Sequence, residues 1–137
     1  MINRKIKGIN AERYLLRKFF QNGWACIRAS ASGSQKDVGL DLIAGNKLRK
    51  LGIEVKVVNS DKLYIPKPRM QEFLNFCDIF GLEPWIAVKF KSTEFYFINP
   101  EDMKVKSSSY AITLEQAKNF GLLFEELIES YVTNIQK

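Results

Sequence analysis

The 137-residue sequence contains no histidine. That absence removes histidine-based catalytic triads, histidine-metal nucleases and most zinc sites. Only two cysteines occur, Cys26 and Cys77, far apart and in apolar contexts. They read as buried free thiols of a reducing compartment, not as a disulfide framework. No apolar run approaches the roughly 20 residues of a membrane span, and the opening MINRKIKG lacks the apolar core of a signal peptide. There is no internal repeat, long linker or low-complexity tract. The expectation is a cytoplasmic protein without membrane contact, folded as a single domain over 1–137. Any hydrolysis in this chain has to run on carboxylates, lysine, hydroxyls and a metal.

What is present is charge, unevenly placed. Residues 1–69 carry 15 Lys and Arg against 5 Asp and Glu, a net +10, whereas residues 70–137 carry 6 against 10, a net −4. A basic half suits a polyanionic partner. Three of the five acids in that half are Glu12, Asp41 and Glu54, so a site built from them would lie inside a positive field. Arg4, Lys5 and Lys7 form a basic N-terminal arm over about 1–8, either a frayed, solvated terminus or a phosphate-contacting arm.

The stretch from Gly39 to Lys56 reads as strand, turn, strand, with Asp41 in the first run and Glu54 and Lys56 in the second. Side chains alternate along a strand, so Glu54 and Lys56 share a side and Ile53, Val55 and Val57 take the other. If the two runs pair in one sheet, Asp41 comes beside Glu54. Two carboxylates then hold a hard divalent cation through oxygen, and an adjacent lysine orients a water or offsets charge on a phosphate. The same triplet also suits the exposed polar face of an edge strand. Asp37, in the preceding loop, is a rival acid outside the apolar run.

In chain order, a helix is expected over about 10–22 and closed by Gly23, with Leu16, Phe19 and Phe20 marking its apolar face. Glu12 falls on the side of Leu16 and Phe19. A carboxylate there needs a cation or strong donors, unless it is simply a first-turn acid favoured by the helix dipole. Residues 24–29 form a strand, followed by the polar loop SASGSQKDVG. Ser30, Ser32 and Ser34 in that loop either contact phosphate or belong to a plain surface loop. Residues 57–69, with Lys62, Tyr64, Lys67 and Arg69, read as a basic mobile loop over DNA or as a solvated connector. A second helix over about 68–80 carries Met70, Phe73, Leu74 and Cys77 at helical spacing. Phe76, Ile79 and Phe80 widen its stripe, which fits a subunit interface or a deep core. Residues 84–90 and 94–98 form a hairpin, 99–103 a short helical turn and 104–110 an irregular segment. Thr113 with Gln116 is a capping-box pattern opening an acidic helical region over about 113–137, with Phe124, Leu127, Ile128, Tyr131 and Ile135 as its apolar stripe. The order αβββαββ plus a terminal helix predicts an α/β fold, with a central mixed sheet flanked by helices.

Glu54-Val55-Lys56, with Asp41 upstream, resembles the catalytic core of the PD-(D/E)XK nucleases, Leu40 standing where Pro is usual. More closely, several features together are similar to the archaeal Holliday-junction resolvase family (the Hjc and Hje type). They are Gly8 with Glu12, Arg28, the stretch Ala31-Ser32-Gly33-Ser34, Asp41-Leu42-Ile43-Ala44, Ile53-Glu54-Val55-Lys56, Lys62-Leu63-Tyr64-Ile65 and Trp85 to Phe90. The resemblance spans about residues 3–98. It implies a restriction-endonuclease-like αβββαβ core and a homodimeric, Mg²⁺-dependent endonuclease, with Mn²⁺ able to substitute, that nicks opposing strands of four-way junction DNA. No small-molecule cofactor other than metal is implied, and the origin would be archaeal or an archaeal virus. By position, Glu12, Asp41 and Glu54 look like metal ligands, Lys56 and Ser32 like catalytic residues. Arg4, Lys5, Lys7, Arg28, Ser30, Ser34, Lys36, Lys62, Lys67 and Arg69 look like DNA contacts, and Phe73, Phe76 and Phe80 like a dimer interface. Two alternatives remain: another PD-(D/E)XK endonuclease acting on duplex or branched DNA, and a non-enzymatic basic DNA-binding module.

Overall fold

The computed structural model describes residues 4–29 and 39–135, with side chains over 7–29 and 39–129. Ser30, Ser32, Ser34, Lys36 and Asp37 lie outside the described residues, as do the side chains of Arg4 and Lys5.

The first helix, α1, runs Arg4–Gln21, so the expected basic arm is, from Arg4 on, part of the helix. Arg, Lys and Ile carry no helix-breaking penalty, and they extend the helix toward the N-terminus. Its buried positions are Glu12, Leu15 and Phe19, at i, i+3 and i+7. Phe20, expected on that face, is 56% exposed, and Leu15 takes its place.

Five strands form the main sheet: β1 (Ala25–Arg28), β2 (Leu42–Gly45), β3 (Lys50–Val57), β5 (Glu83–Lys89) and β6 (Phe95–Ile98). Their spatial order is β1-β2-β3-β5-β6, antiparallel except for the parallel β3–β5 pair. The expected mixed sheet and the 84–98 hairpin are therefore present. β3 is central, with neighbours on both edges, which excludes the edge-strand reading of Glu54 and Lys56. Ile53 and Val55 join Leu15, Phe19, Leu42 and Phe124 in a core beneath α1. Gly52 and Glu54 face the other layer.

That other layer contains three strands not expected from the sequence. β4 (Lys62–Pro66), β7 (Lys104–Val105) and β8 (Ser109–Thr113) form a second antiparallel sheet in the order β4-β8-β7. The expected loop or connector at 62–66 is a strand because Leu63 and Ile65 alternate into the core while Lys62 and Tyr64 face out. Part of the expected irregular segment 104–110 is strand for a different reason, the supply of a partner, since Lys104 and Val105 pair with Ala111 and Tyr110.

Helix α2 (Lys67–Phe80) follows β4 directly and packs Met70, Phe73 and Cys77 against Leu63, Ile86, Val88 and Ile112. Gly81 ends it in the left-handed conformation, φ 90°, its N–H reaching the Cys77 carbonyl. A Cβ on Gly52 would lie 2.6 Å from the Cys77 sulfur, so the glycine lets α2 sit directly on β3. Phe73 is 1% exposed within this core, which removes it from any subunit interface. Phe76 is partly buried, whereas Ile79 and Phe80 are 78% and 60% exposed. Both cysteines are free and buried as expected, and burial pushes each thiol up to about 12.

The C-terminal region is two helices, not one. The Thr113–Gln116 capping box opens α3 (Leu114–Phe120) as its spacing predicts. After Gly121 the chain extends, and Leu122 exchanges two backbone hydrogen bonds with Phe97, at 2.8 and 2.9 Å. α4 (Phe124–Ile135) then returns Phe124 and Leu127 to the α1 core.

Candidate active site

The β2–β3 pairing places the acids. Leu42 stands opposite Ile53, and one step further along the antiparallel register come Asp41 and Glu54. Asp41 N–H donates to the Ile53 carbonyl at 3.0 Å, and its carboxylate oxygen Oδ2 accepts from Val55 N–H at 2.8 Å. The aspartate is thus fixed to the strand that carries Glu54. Glu54 is 2% exposed. Lys56 Nζ lies 3.7 Å from its Oε2. Asp41, Glu54 and Lys56 therefore converge as the strand spacing predicts.

Glu12 reaches the same region from α1. Its carboxylate accepts from Arg28 Nε at 3.0 Å, so the cation that a core-facing acid requires is here an arginine on β1. The closeness of all three acids is visible in Asp41. Burial, then the charge of Glu54, raises its carboxyl from the usual 3.8 to about 7. Glu12 adds to the rise, while the Val55 N–H and Lys56 oppose it.

Among the described residues, no group of three acids forms a closed ligand set. Arg28 stands on Glu12, and Arg69 stands on Glu54. The donors nevertheless suit a hard divalent cation. All are carboxylate oxygens, the donors such a cation takes, and Glu54 and Glu12 each add to the rise that burial gives Asp41.

The DNA-contact candidates are dispersed. Lys62 is exposed on β4, and Lys67 is partly exposed at the start of α2. Arg69 does not face solvent freely. Its guanidinium grips both oxygens of Glu54, Nε to Oε2 and Nη2 to Oε1, each at 2.8 Å. Lys7 lines a groove of about 860 Å³ between α1 and the β5–β6 turn, together with Tyr14, Lys18, Lys89 and Lys91. Lys18, Lys89 and Lys91 were not singled out from the sequence, because their clustering depends on bringing α1 against the hairpin.

The Asp41 shift gives a stability test. The group's folded value lies above its unfolded one, so ionising it opposes folding. That cost is absent near pH 4, grows as pH rises and is complete above pH 7. Asp41→Asn keeps an acceptor for Val55 N–H and carries no charge. In EDTA it is expected to exceed the wild type in stability at pH 8 by about 1–3 kcal/mol, with the gain vanishing at pH 4. A thermal melt at both pH values checks this, and an equal gain at both would remove the electrostatic cause.

A helix-borne glutamate, an aspartate at a strand start and a Glu-X-Lys on the paired central strand define a class, the PD-(D/E)XK nucleases. Comparison with known proteins narrows it. The family model "Archaeal holliday junction resolvase (hjc)" matches residues 3–135. The chain belongs to that family. It is 37% identical over 122 residues to the crossover junction endodeoxyribonuclease Hjc of Methanocaldococcus jannaschii, covering 89% of this chain and 86% of that protein. The Archaeoglobus fulgidus Hjc is 31% identical over 129 residues, covering 89% and 95%. A solved structure of Archaeoglobus fulgidus Hjc, described as a Holliday junction resolvase, superposes with a TM-score of 0.79 at 27% identity, covering 88% of this chain and 98% of that one.

Proposed function

We propose that this chain is a Mg²⁺-dependent endonuclease that resolves four-way DNA junctions by nicking opposing strands as a homodimer. The observation that carries the reading is the β2–β3 register, which sets Asp41 beside Glu54 and Lys56 within a family of crossover junction endonucleases. Asp41, Glu54 and Glu12 would hold Mg²⁺, or Mn²⁺ in its place. When bound, the metal supplies a water of lowered pKa and a counter-charge to the phosphate. Lys56 orients the attacking water and offsets the negative charge that builds on the phosphate oxygens. Water bonds to phosphorus, the bond to the 3′ oxygen breaks, and the products are a 5′-phosphate and a 3′-hydroxyl. Ser32 acts at the same site by resemblance alone.

Affinity comes from the basic residues. Lys7, Lys18, Lys89 and Lys91 line one groove, and Arg28, Lys62 and Lys67 lie on β1, β4 and α2. The salt dependence of junction binding should be steep, with log K falling by about 0.9 per phosphate neutralised for each unit of log salt. A flat response would mean that the basic half is not the binding face. Phe80 and Ile79 are exposed on α2, and Phe76 stacks on Phe80 with ring centres 5.7 Å apart. This apolar patch supports a two-fold dimer, which presents two sites to two symmetry-related strands. Among the described residues no helix is long and apolar enough to cross a membrane.

The test of substrate class is a panel of labelled four-way, flap and linear duplex DNAs at equal concentration. Preferential cleavage of the four-way junction is expected. Equal cleavage of linear duplex would assign the chain to the duplex-cutting nucleases instead.

A further inference from the structure

The unexplained feature of the site is Arg69. Glu54 is 2% exposed, yet both of its oxygens are already engaged by one guanidinium, in two 2.8 Å hydrogen bonds. This planar fork is among the strongest partners a carboxylate can have. Arg69 is the third residue of α2, so the grip joins the helix to the central strand across the layer. The fork uses one lone pair on each Glu54 oxygen, so a divalent cation at about 2.1 Å would bind the same oxygens through the lone pairs that Arg69 leaves. It also brings a second positive charge to within a few ångströms of the guanidinium, with little water between to screen them. That repulsion sets metal and guanidinium in competition for Glu54.

We propose that Arg69 is an exchangeable counter-cation of the metal site, a positioning residue that holds Glu54 in place and gives up at least one of its two bonds when the metal enters. The inference rests on the reading of Glu54 as a metal ligand. The structure provides a second station for the displaced group. Glu72 lies one turn along α2, half-exposed, with Oε2 3.4 Å from Arg69 Nη1. The Arg69 side chain is 25% exposed, so it has a route outward. Lys56 stays beside Glu54 throughout and keeps its separate role. The consequence is that metal competes with an internal cation, so affinity is set below what the carboxylates alone would give.

Mn²⁺ binding to the full chain without DNA tests this, with the free ion counted by its electron paramagnetic resonance signal. Arg69→Ala is expected to bind Mn²⁺ tighter than the wild type by roughly tenfold or more, the worth of a charged hydrogen-bond pair removed from the competition. Its melting temperature in EDTA should fall, and the rise on adding Mn²⁺ should exceed that of the wild type. Arg69→Lys, which keeps the charge but loses the fork, should bind tighter by a smaller factor. Glu54→Gln should lose the binding. A purely structural Arg69 would do the opposite, because a loosened Glu54 makes a poorer ligand. Equal or weaker Mn²⁺ binding by Arg69→Ala, with Glu54→Gln inactive in binding, overturns the exchange and leaves Arg69 a fixed support. Should Arg69→Ala not fold, equal or weaker binding by Arg69→Lys overturns it alone. Wild-type binding by Glu54→Gln would instead remove Glu54 from the ligands, and the exchange with it.

Discussion

Alanine at Asp41, Glu54 or Lys56 lowers junction cleavage by about a hundredfold to a thousandfold or more, the range seen when a preorganised electrostatic contact to a transition state is removed, while junction binding persists. The three changes should differ in their side effects. Lys56→Ala is the cleanest, since Lys56 is partly exposed and its 3.7 Å contact to Glu54 is long. Glu54→Ala also strands Arg69, so a loss of stability accompanies the loss of activity. Asp41→Ala removes the acceptor for Val55 N–H but also relieves the repulsion that raises the Asp41 carboxyl. Removing either acid deletes negative charge that would face a phosphate, so junction affinity should hold or rise. Single-turnover cleavage and a binding titration on the same junction check both halves. Near-normal cleavage by any one variant would remove that residue from the chemistry.

Arg49→Ala destabilises the protein by about 3–5 kcal/mol, the usual cost of breaking a buried ion pair from one side. Arg49 is 4% exposed and sits just before β3. Its Nε and Nη2 fork onto Glu83 at 2.9 and 2.8 Å, and Nη1 donates to the Leu127 carbonyl at 2.6 Å. Its guanidinium also lies 5.7 Å from the Trp24 ring centre. One side chain therefore ties the central strand, the start of β5 and helix α4 together. Glu83→Ala should also be costly, because it strands a guanidinium whose side chain is 3% exposed, whereas Arg49→Ala leaves a carboxylate that is 39% exposed and can be hydrated. Denaturant unfolding gives both numbers. A loss below 1 kcal/mol for Arg49→Ala would show that the α4 layer is held by its apolar contacts alone.

The chemistry was legible in the sequence where it followed a local period. Alternation along residues 53–57 puts Glu54 and Lys56 on one side, and helical spacing puts Glu12 on the buried side of α1; both hold. What the sequence did not convey depends on contacts between distant elements. Arg69 and Arg49 lie in basic stretches that look like solvated or phosphate-binding surface. Each instead neutralises a glutamate 15 or 34 positions away, through a layer crossing that no local pattern encodes. Strand β4 did carry a period-two signal, Leu63 and Ile65 between polar neighbours, but its lysines and flanking prolines read more strongly as a loop. The two-residue strand β7 has no signal of its own and exists because β8 offers it a partner. Phe73 looked like part of a wide interface stripe. The second sheet, unseen from the sequence, is what covers it.

The most direct measurement is cleavage of an end-labelled synthetic four-way junction by the purified protein, in Mg²⁺ and in EDTA, with Lys56→Ala alongside. Expected are nicks on opposing strands in Mg²⁺, bearing 5′-phosphates, and intact junction both in EDTA and with the variant. Junction binding without cleavage at any Mg²⁺ concentration, or nicking that survives EDTA, would contradict a metal-dependent resolvase built on Asp41, Glu54 and Lys56.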